Sequence, residues 1–504
     1  MLLPREMLRR DPWLWVLTAS TLLVHVAVAG RYDLFRDELY FIICGRHPAF
    51  GYVDQPPLVP LLSAATQMFG ECLWLLRLPA ALAAAALVPL TGAFARLLGG
   101  GRGAALIAGS ASALAPVLIG LSATLFTSSF DALSWTALAY VVTRAALRGT
   151  DRDLIWAGLI AGIAFEAKYG VVLWFIGLAI GLAAMPERRL YARRALWYGA
   201  ALAALIAAPN LIWLTVEGWP FLEVTANHSK DNLTGAPLYF FLHQIFILNP
   251  FLAPLWLAGF IAPFVRAELK PARFLAIAWL VAAIVTWASH GKDYYLAGAY
   301  PTLFAIGAVV AARAWVWLKL VVIAGAVAVT AEALPMTLPI LPPDSLGDYM
   351  DATHLRPKAN QRASLGAPLT QLFSDQFGWR ELEKKVAAVY RALPPDERAR
   401  VAILATNYGE AAAIDFYGAA DGLPPALSGQ DQYYLWGTRG HDGVVVIHIN
   451  GDPARWRGLC ARLDIAGRFG APYTMPYEDD RPIMLCHDFH GGLARAWPTF
   501  KRYY

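Results

Sequence analysis

The stretch "RYDLFRDELYFIICGRHPAFGYVDQPP", residues 31–57, places charged residues directly behind an apolar segment, residues 13–29, that could enter a membrane. Ionisable side chains beside hydrocarbon are costly, and they are retained mainly where they serve a function. The adjacent acids Asp37 and Glu38 are therefore candidates for a functional site. A solvated helix end at the level of the lipid headgroups is the alternative, and the residues alone leave both interpretations open.

The composition indicates a membrane protein. Of the 504 residues, 58% are hydrophobic and 16% are charged, whereas soluble proteins carry about 25% charged residues. The apolar residues occur in blocks of about 20, the helix length that crosses about 30 Å of hydrocarbon. We therefore predict a polytopic α-helical membrane protein. The net charge of +5 comes from basic loops between the blocks, so we expect no nucleic-acid partner.

About eleven transmembrane helices are predicted from hydropathy. They lie near residues 12–30, 73–98, 104–122, 132–148, 154–167, 170–185, 195–216, 250–266, 274–289, 301–317 and 318–338. If these segments alternate in direction, the basic loops, which include Arg9–Arg10 and residues 186–194, fall on one side, which is then cytoplasmic. The opposite side receives residues 31–72 and 217–249. An odd number of spans also places the chain after residue 340 outside.

The chain divides into two predicted domains. Residues 1–338 form the transmembrane module, and the proline-rich segment 334–349 marks the exit from the membrane. Residues 341–504 are long enough for one small extracytoplasmic domain. Within it, "RVAILATNYGEAAAIDFYG" (400–418) predicts a buried strand, a turn and a helix, and "DGVVVIHING" (442–451) predicts a second buried strand. We therefore expect an α/β domain.

The first outer loop, residues 31–72, is predicted to lie along the membrane interface. Prolines interrupt its apolar part, which makes it poorly suited to spanning and well suited to forming short interfacial helices. Its polar side chains that could contact a ligand are His47, Tyr52, Asp54 and Gln55. For each of them, a solvated loop residue is the alternative.

A family resemblance is carried by "RDELYFIICGRHPAFGYVDQPPLVPLL" (36–62), which resembles the first outer loop of family 39 glycosyltransferases. These are the bacterial relatives of protein O-mannosyltransferases and of the lipid A aminoarabinose transferase, and they share the GT-C architecture. The similarity continues in residues 125–142, 165–175, 208–223 and 292–308. It implies transfer of a sugar from a polyprenyl-phosphate donor to a lipid, glycan or protein acceptor at the outer face of a bacterial inner membrane. The C-terminal domain would then be periplasmic.

The resemblance also implies roles for three acids. The acidic pair of the first outer loop is the family's catalytic feature, so it points to Asp37 as the base that deprotonates the acceptor. Glu38 would orient that base or contact the sugar. Asp131 stands where the family often has another acid, although Phe130 replaces the usual preceding proline. It could bind sugar hydroxyls or share a divalent cation with Asp37; a favourable carboxylate at a helix N-terminus is the alternative.

Cations on the outer side would stabilise the departing phosphate. The candidates are Lys168 and Lys292, with Tyr169, Tyr294 and Tyr295 beside them. Snorkelling lysines and an interfacial aromatic belt are the alternatives.

A multi-span transporter or lipid flippase is the rival class of protein. Such a protein should place ionisable groups near the bilayer midplane, often in two related halves, whereas the charges here gather at the outer side. The four cysteines are too few and too scattered for a zinc module. A disulfide between Cys44 and Cys72, or between Cys460 and Cys486, is compatible with an extracytoplasmic location.

Overall fold

The computed structural model describes residues 11–233, 235–356, 358–359 and 361–504. Arg9 and Arg10, which contributed to the predicted orientation, lie outside these residues. The chain divides into two compact units. The first, here called the helical unit, comprises Met1–Arg31, Cys72–Trp213 and Asn232–Ile340; the second, the sheet unit, comprises Tyr32–Glu71, Leu214–Asp231 and Leu341–Tyr504.

The helical unit is built from apolar helices. Its α-helices are Pro12–Val28, Leu73–Leu97, Arg102–Ala113, Pro116–Leu121, Asp131–Arg148, Asp151–Ala167, Val171–Ala184, Arg194–Val216, Pro237–Leu248, Ala253–Val265, Arg273–Ala288, Tyr300–Ala311 and Val316–Thr337. Shorter 3-10 helices are Thr127–Phe130, Pro186–Ala192, Pro250–Leu252, Ala267–Ala272 and Asp293–Ala299. Each of the predicted spans contains a helix of this unit.

The predicted number of spans is not confirmed. Among the described residues, five helices are long and apolar enough to cross a membrane, and up to seven if two bent helix pairs each count as one span. The bends of 108° and 101° occur at Met185 and Asn249, and in both cases the next helix begins with a proline. A further difference is the helix Pro237–Leu248, which lies in a segment predicted as an outer loop.

Small residues bring the helices of this unit close together. A Cβ atom on Gly259 would lie 2.1 Å from the carbonyl oxygen of Leu303, and one on Gly307 would lie 1.9 Å from that of Leu255. The helices Ala253–Val265 and Tyr300–Ala311 can therefore pack backbone to backbone only because both positions lack a side chain. Such contacts are the usual way in which membrane helices associate.

The sheet unit contains a five-stranded sheet and short helices. Its strands are β1 Val401–Ala405, β2 Leu427–Ser428, β3 Val445–Ile449, β4 Cys460–Phe469 and β5 Arg481–Phe489, in the order β2-β1-β3-β5-β4. Its α-helices are Arg36–Arg46, Leu58–Gln67, Pro220–Asp231, Pro343–Thr353, Gln371–Ser374, Trp379–Ala392, Pro395–Arg398, Tyr408–Tyr417, Asp431–Leu435, Pro453–Arg457 and Leu493–Ala496. The pairings of β1 with β2 and β3 are parallel, and β5 runs antiparallel to β3 and β4.

The predicted α/β character of the C-terminal region is confirmed. Both predicted strands form, as β1 and β3, and every residue of each is buried. The helix Tyr408–Tyr417 follows β1 as expected. The disulfide Cys460–Cys486 joins β4 to β5, whereas Cys44 and Cys72 are free thiols.

The first outer loop groups with the C-terminal region in one unit. The predicted transmembrane module, residues 1–338, includes the loop 31–72 and its interfacial helices. In the structure, Tyr32–Glu71 form one compact unit with Leu214–Asp231 and Leu341–Tyr504. The Tyr32 hydroxyl donates to the Leu341 carbonyl oxygen at 2.7 Å, and Arg380 forms an ion pair with Asp33 at 2.6 Å. The helix that carries the acidic pair is thus held by residues more than 300 positions later in the chain.

Candidate active site

Asp37 lies in the first turn of the helix Arg36–Arg46, where the helix dipole favours a negative charge. Its side chain is 16% exposed. The Tyr408 hydroxyl donates to Asp37 Oδ1 at 2.7 Å, and Arg36 Nε lies 3.5 Å from the same oxygen. Within the described part of the chain, Oδ2 has no bonding partner. One carboxylate oxygen is therefore held, and the other remains available to a ligand.

Glu38 differs from its neighbour in burial and contacts. Its side chain is completely buried, and its Oε2 accepts a 2.9 Å hydrogen bond from the backbone N–H of Phe35. This contact ties the third residue of the helix to the residue before its first turn, so it fixes where the helix begins. The geometry thus ties Glu38 to the start of its helix, and its predicted role in orienting Asp37 or contacting the sugar stays a prediction.

Arg36 lies between two carboxylates. On one side it faces Asp37, and on the other its Nη1 lies 4.0 Å from Asp375 Oδ1. The same Nη1 donates to the Tyr477 hydroxyl at 2.7 Å, and that hydroxyl donates to Asp375 at 3.0 Å. The guanidinium carbon also lies 5.1 Å from the centre of the Tyr408 ring. Burial raises the pKa of Asp375, and the charge of Arg36 opposes that rise.

Asp54 is connected to Asp37 through two tyrosines. The Tyr40 hydroxyl donates to Asp54 Oδ1 at 2.7 Å, and the Tyr40 ring lies 4.6 Å from the Tyr408 ring. Burial raises the pKa of Asp54 to about 7, against the opposing effect of the Tyr40 hydrogen bond. The nearby charge of Asp37 raises it further. Of the four polar loop residues predicted for a ligand, Asp54 is the one linked to Asp37.

The other three predicted loop residues have separate surroundings. Tyr52 is fully buried, and its hydroxyl donates to the Cys44 carbonyl oxygen at 2.8 Å, which closes the loop on itself. Gln55 is 2% exposed, and its amide atoms have no hydrogen-bond partner among the described residues. His47 is exposed and packs on Trp436 with ring centres 4.9 Å apart. Their predicted role in binding the donor stays a prediction.

In the helical unit, Lys168 and Asp131 form an ion pair. Lys168 Nζ lies 3.1 Å from Asp131 Oδ2 and also donates to the Ser128 hydroxyl. It lies 4.6 Å above the centre of the Tyr295 ring. The lysine and acid side chains are only 18% and 9% exposed. These two residues were predicted for separate roles, and the structure brings them together.

Two of the remaining predicted residues of this unit, Tyr294 and Lys292, lie close to Tyr295, whereas Tyr169 does not pack there. Tyr294 packs edge to face on Tyr295 with ring centres 5.0 Å apart, and Lys292 Nζ lies 5.8 Å from the centre of the Tyr294 ring. Tyr169 is buried and packs on Phe165 instead, with ring centres 5.3 Å apart. Lys292 and Lys168 are thus linked through two adjacent aromatic rings.

The predicted cation ligands do not suit a metal equally. Among the described residues, no group of three or more His, Cys, Asp and Glu side chains is arranged to hold a metal ion. Asp37 keeps a free oxygen, but Asp131 is already neutralised by Lys168. A cation at Asp131 would share the carboxylate with Lys168, which contacts Oδ2. The predicted metal-binding role of Asp37 and Asp131 stays a prediction.

Sequence reasoning missed the residues of the C-terminal region that hold Asp37 and its neighbour Arg36. Tyr408, Asp375 and Tyr477 all lie in the C-terminal region, 338 or more positions away in the chain. One local signal was present: "NYGE" (407–410) has the spacing of a capping box, in which Asn407 and Glu410 bond to each other's backbone N–H groups. This motif fixes Tyr408 at a helix start directly after a buried strand.

These features define a class of protein: a multi-span helical membrane fold with a small C-terminal sheet domain and an acid in the first turn of the helix that follows the first apolar helix. Residues 54–213 match the family model described as dolichyl-phosphate-mannose-protein mannosyltransferase. The chain is 28% identical over 242 residues to the lipid A galacturonosyltransferase RgtD of Rhizobium johnstonii. That match covers 44% of this chain, which spans about half (49%) of the relative's length.

The fold is also similar to solved structures of ArnT from Cupriavidus metallidurans. The structure of that protein bound to undecaprenyl phosphate aligns with a TM-score of 0.60 over 94% of this chain and 98% of ArnT, and the apo structure with 0.59 over 94% and 97%. Sequence identity is 15% in both cases, so this likeness concerns the fold. Together, the comparisons confirm the resemblance to family 39 glycosyltransferases of GT-C architecture.

Proposed function

We propose that the chain is an inverting glycosyltransferase that moves a sugar from a polyprenyl-phosphate donor to an acceptor hydroxyl at the outer face of a bacterial inner membrane. Support comes from the family resemblance, from the fold of a protein crystallised with undecaprenyl phosphate and from a relative named for transfer to lipid A. A uronic acid donor and a lipid A acceptor are therefore the first pair to test. Other lipids, glycans and proteins follow as acceptors.

The observation on which this proposal rests is that only one oxygen of the Asp37 carboxylate is bonded within the described part of the chain. Tyr408 and Arg36 engage Oδ1, which leaves Oδ2 to take the proton of the acceptor hydroxyl. As that proton leaves, the acceptor oxygen attacks the anomeric carbon, and the bond between this carbon and the phosphate oxygen breaks. The polyprenyl phosphate departs, and the configuration at the anomeric carbon is inverted. A positioned general base contributes about 10²–10⁴-fold to such a reaction.

The basic residues of the helical unit are assigned to the donor phosphate. Lys168 and Lys292 would stabilise the negative charge that develops on the leaving group. Asp131 would keep Lys168 charged and oriented through the 3.1 Å ion pair. Tyr295, beneath the Lys168 ammonium group, would limit the positions that this group can take.

The test is transfer of a labelled sugar by the purified full chain, with Asp37→Asn compared with a matched variant. Asp33→Asn is the control, because Asp33 also accepts a tyrosine hydroxyl, at 2.9 Å from Tyr417, in the same loop. We expect Asp37→Asn to lose at least about 10²-fold in kcat with an unchanged unfolding temperature, and Asp33→Asn to remain active. Full activity in Asp37→Asn would refute the assignment of the base. Lipid translocation without sugar transfer would favour a flippase instead.

A further inference from the structure

Tyr408 of the C-terminal domain is held firmly at the proposed base. The centre of its ring lies 4.6 Å from the centre of the Tyr40 ring and 5.1 Å from the guanidinium carbon of Arg36. Its backbone N–H donates to Gln430 Oε1 at 3.1 Å. The ring is therefore packed against two side chains, and its hydroxyl donates to Asp37 Oδ1 at 2.7 Å.

The residue after Tyr408 shows how closely this helix approaches the acidic loop. A Cβ atom on Gly409 would lie 2.5 Å from Arg36 Cγ, closer than van der Waals contact permits. The helix Tyr408–Tyr417 can approach Arg36 only because this position has no side chain.

The start of the helix is fixed in its own turn. Asn407 accepts a hydrogen bond from the Glu410 N–H at 3.0 Å, and Glu410 Oε2 accepts from the N–H groups of Asn407 and Thr406 at 3.2 and 2.7 Å. Thr406 directly follows the buried strand β1. The position of Tyr408 is thus determined by the sheet of the C-terminal domain.

We propose that Tyr408 is a positioning residue for Asp37, so that the C-terminal domain completes the catalytic base; this inference rests on the proposed function. The hydroxyl holds Oδ1 and so directs Oδ2 to the acceptor. A hydrogen bond donated to a carboxylate also favours its ionised form. Besides Tyr408, the charged and ionisable groups near Asp37 are Arg36, whose Nε lies 3.5 Å from Oδ1, together with Asp54 and Asp375.

The direct test is Tyr408→Phe, which keeps the ring and removes the hydroxyl. We expect kcat to fall about 10- to 100-fold with little change in KM for the donor, as for loss of a hydrogen bond to a charged group. The acid limb of the profile of kcat/KM against pH should move up by about one unit. Tyr417→Phe is the matched control, because Tyr417 lies on the same helix and donates to Asp33 of the same loop at 2.9 Å; it should keep the wild-type profile.

A second readout does not depend on transfer activity. A water-soluble carbodiimide modifies protonated carboxyl groups, so the pH dependence of labelling at Asp37, followed by peptide mass spectrometry, reports its titration. The midpoint should rise by about one unit in Tyr408→Phe and stay constant in Tyr417→Phe. Replacement of Tyr408 by 3-fluorotyrosine, a stronger donor that preserves the packing, should move the midpoint down.

The outcomes separate this inference from the proposed function. A wild-type profile and midpoint in both Tyr408 variants would overturn the positioning role, even if Asp37→Asn is inactive. A shifted midpoint in a protein that transfers no sugar would support the positioning role and refute the transferase proposal. A Tyr408→Phe profile that falls in rate without moving along the pH axis would indicate a structural role alone and also overturn the inference.

Discussion

Two buried glutamates at the start of the Tyr408 helix should respond very differently to the same substitution. Glu410 accepts three hydrogen bonds, from the Thr406 and Asn407 N–H groups at 2.7 and 3.2 Å and from Asn450 Nδ2 at 2.7 Å. Glu478 accepts one, from Asn407 Nδ2 at 2.7 Å. The Glu478 side chain also lies within hydrogen-bonding reach of Glu410. Because the three donors favour a charged Glu410, we expect Glu478 to carry a proton and to donate it to Glu410.

The expected magnitudes follow from these contacts. In Glu410→Gln, the amide has a single acceptor oxygen, so at least one buried donor loses its partner and the others lose a charged one. We expect a cost of about 3 kcal/mol. In Glu478→Gln, the new oxygen can still accept from Asn407, and the new N–H₂ can replace the shared proton. We expect a change of less than about 1 kcal/mol below about pH 4, where Glu478 is protonated in the unfolded chain as well.

The pH dependence gives the sign of the effect. Burial raises the pKa of Glu478 well above its usual value, and the charge of Glu410 raises it further. A carboxyl group whose pKa is raised by folding contributes stability that is complete below its unfolded pKa, about 4.3, and that is lost as the pH rises through its folded pKa. Glu478→Gln removes this loss, so its stability relative to wild type should increase between about pH 5 and pH 8.

The assay is hydrogen exchange of the full chain in detergent, read by mass spectrometry on peptides that cover residues 401–410. These peptides contain the two N–H groups that donate to Glu410. Glu410→Gln should increase their exchange about 100-fold, which corresponds to the expected 3 kcal/mol. Glu478→Gln should not increase it above the wild-type rate. Equal effects of the two substitutions, or a wild-type to Glu478→Gln difference that does not vary with pH, would refute the shared-proton assignment.

Two further substitutions test the packing around the assigned groups. Lys168→Met should lower the free energy of unfolding by about 3 kcal/mol because it leaves Asp131 buried and unpaired. Adding Asp131→Asn should restore most of that stability. Thermal unfolding in detergent measures both effects, and additive losses of stability in the double variant would contradict the pairing. Gly409→Ala should lower the transfer rate roughly tenfold or more by displacing Arg36. Gly458→Ala, at a position with open space around it, is the control, and equal rates in the two would contradict the close approach.

The membrane helices could be predicted from sequence because their signal is local. The helix Leu73–Leu97 lies within one residue of its prediction, since a long apolar block needs no distant partner to be recognised. The number of spans could not be predicted in the same way. The helix Pro237–Leu248 has 12 residues, too few to cross a membrane alone, and a bend of 101° separates it from the next helix. The direction of a chain after such a bend is set by packing.

The acidic pair could also be found from sequence, but the different contacts of its two members could not. Asp37 and Glu38 are adjacent, yet the first keeps an available oxygen and the second is buried against the Phe35 N–H. An acid at the third position of a helix commonly bonds back to the backbone N–H before the helix start. The contact of Glu38 with Phe35 could therefore be predicted once the helix was known to begin at Arg36. The contact of Asp37 with Tyr408 spans 371 positions, and nothing local indicates it.

The same contact changes what the C-terminal domain is expected to do. If that domain were an appendage to a complete catalytic module, its removal near residue 340 would leave a smaller active enzyme. However, the residues that hold Asp37 and Arg36, namely Tyr408, Asp375 and Tyr477, all lie beyond that point. Truncation would leave the partly buried Arg36 and the proposed base without these partners, and a buried charge that loses its partner is destabilising. The first outer loop and the C-terminal domain should therefore fold together, and removal of the C-terminal domain should also unfold the loop.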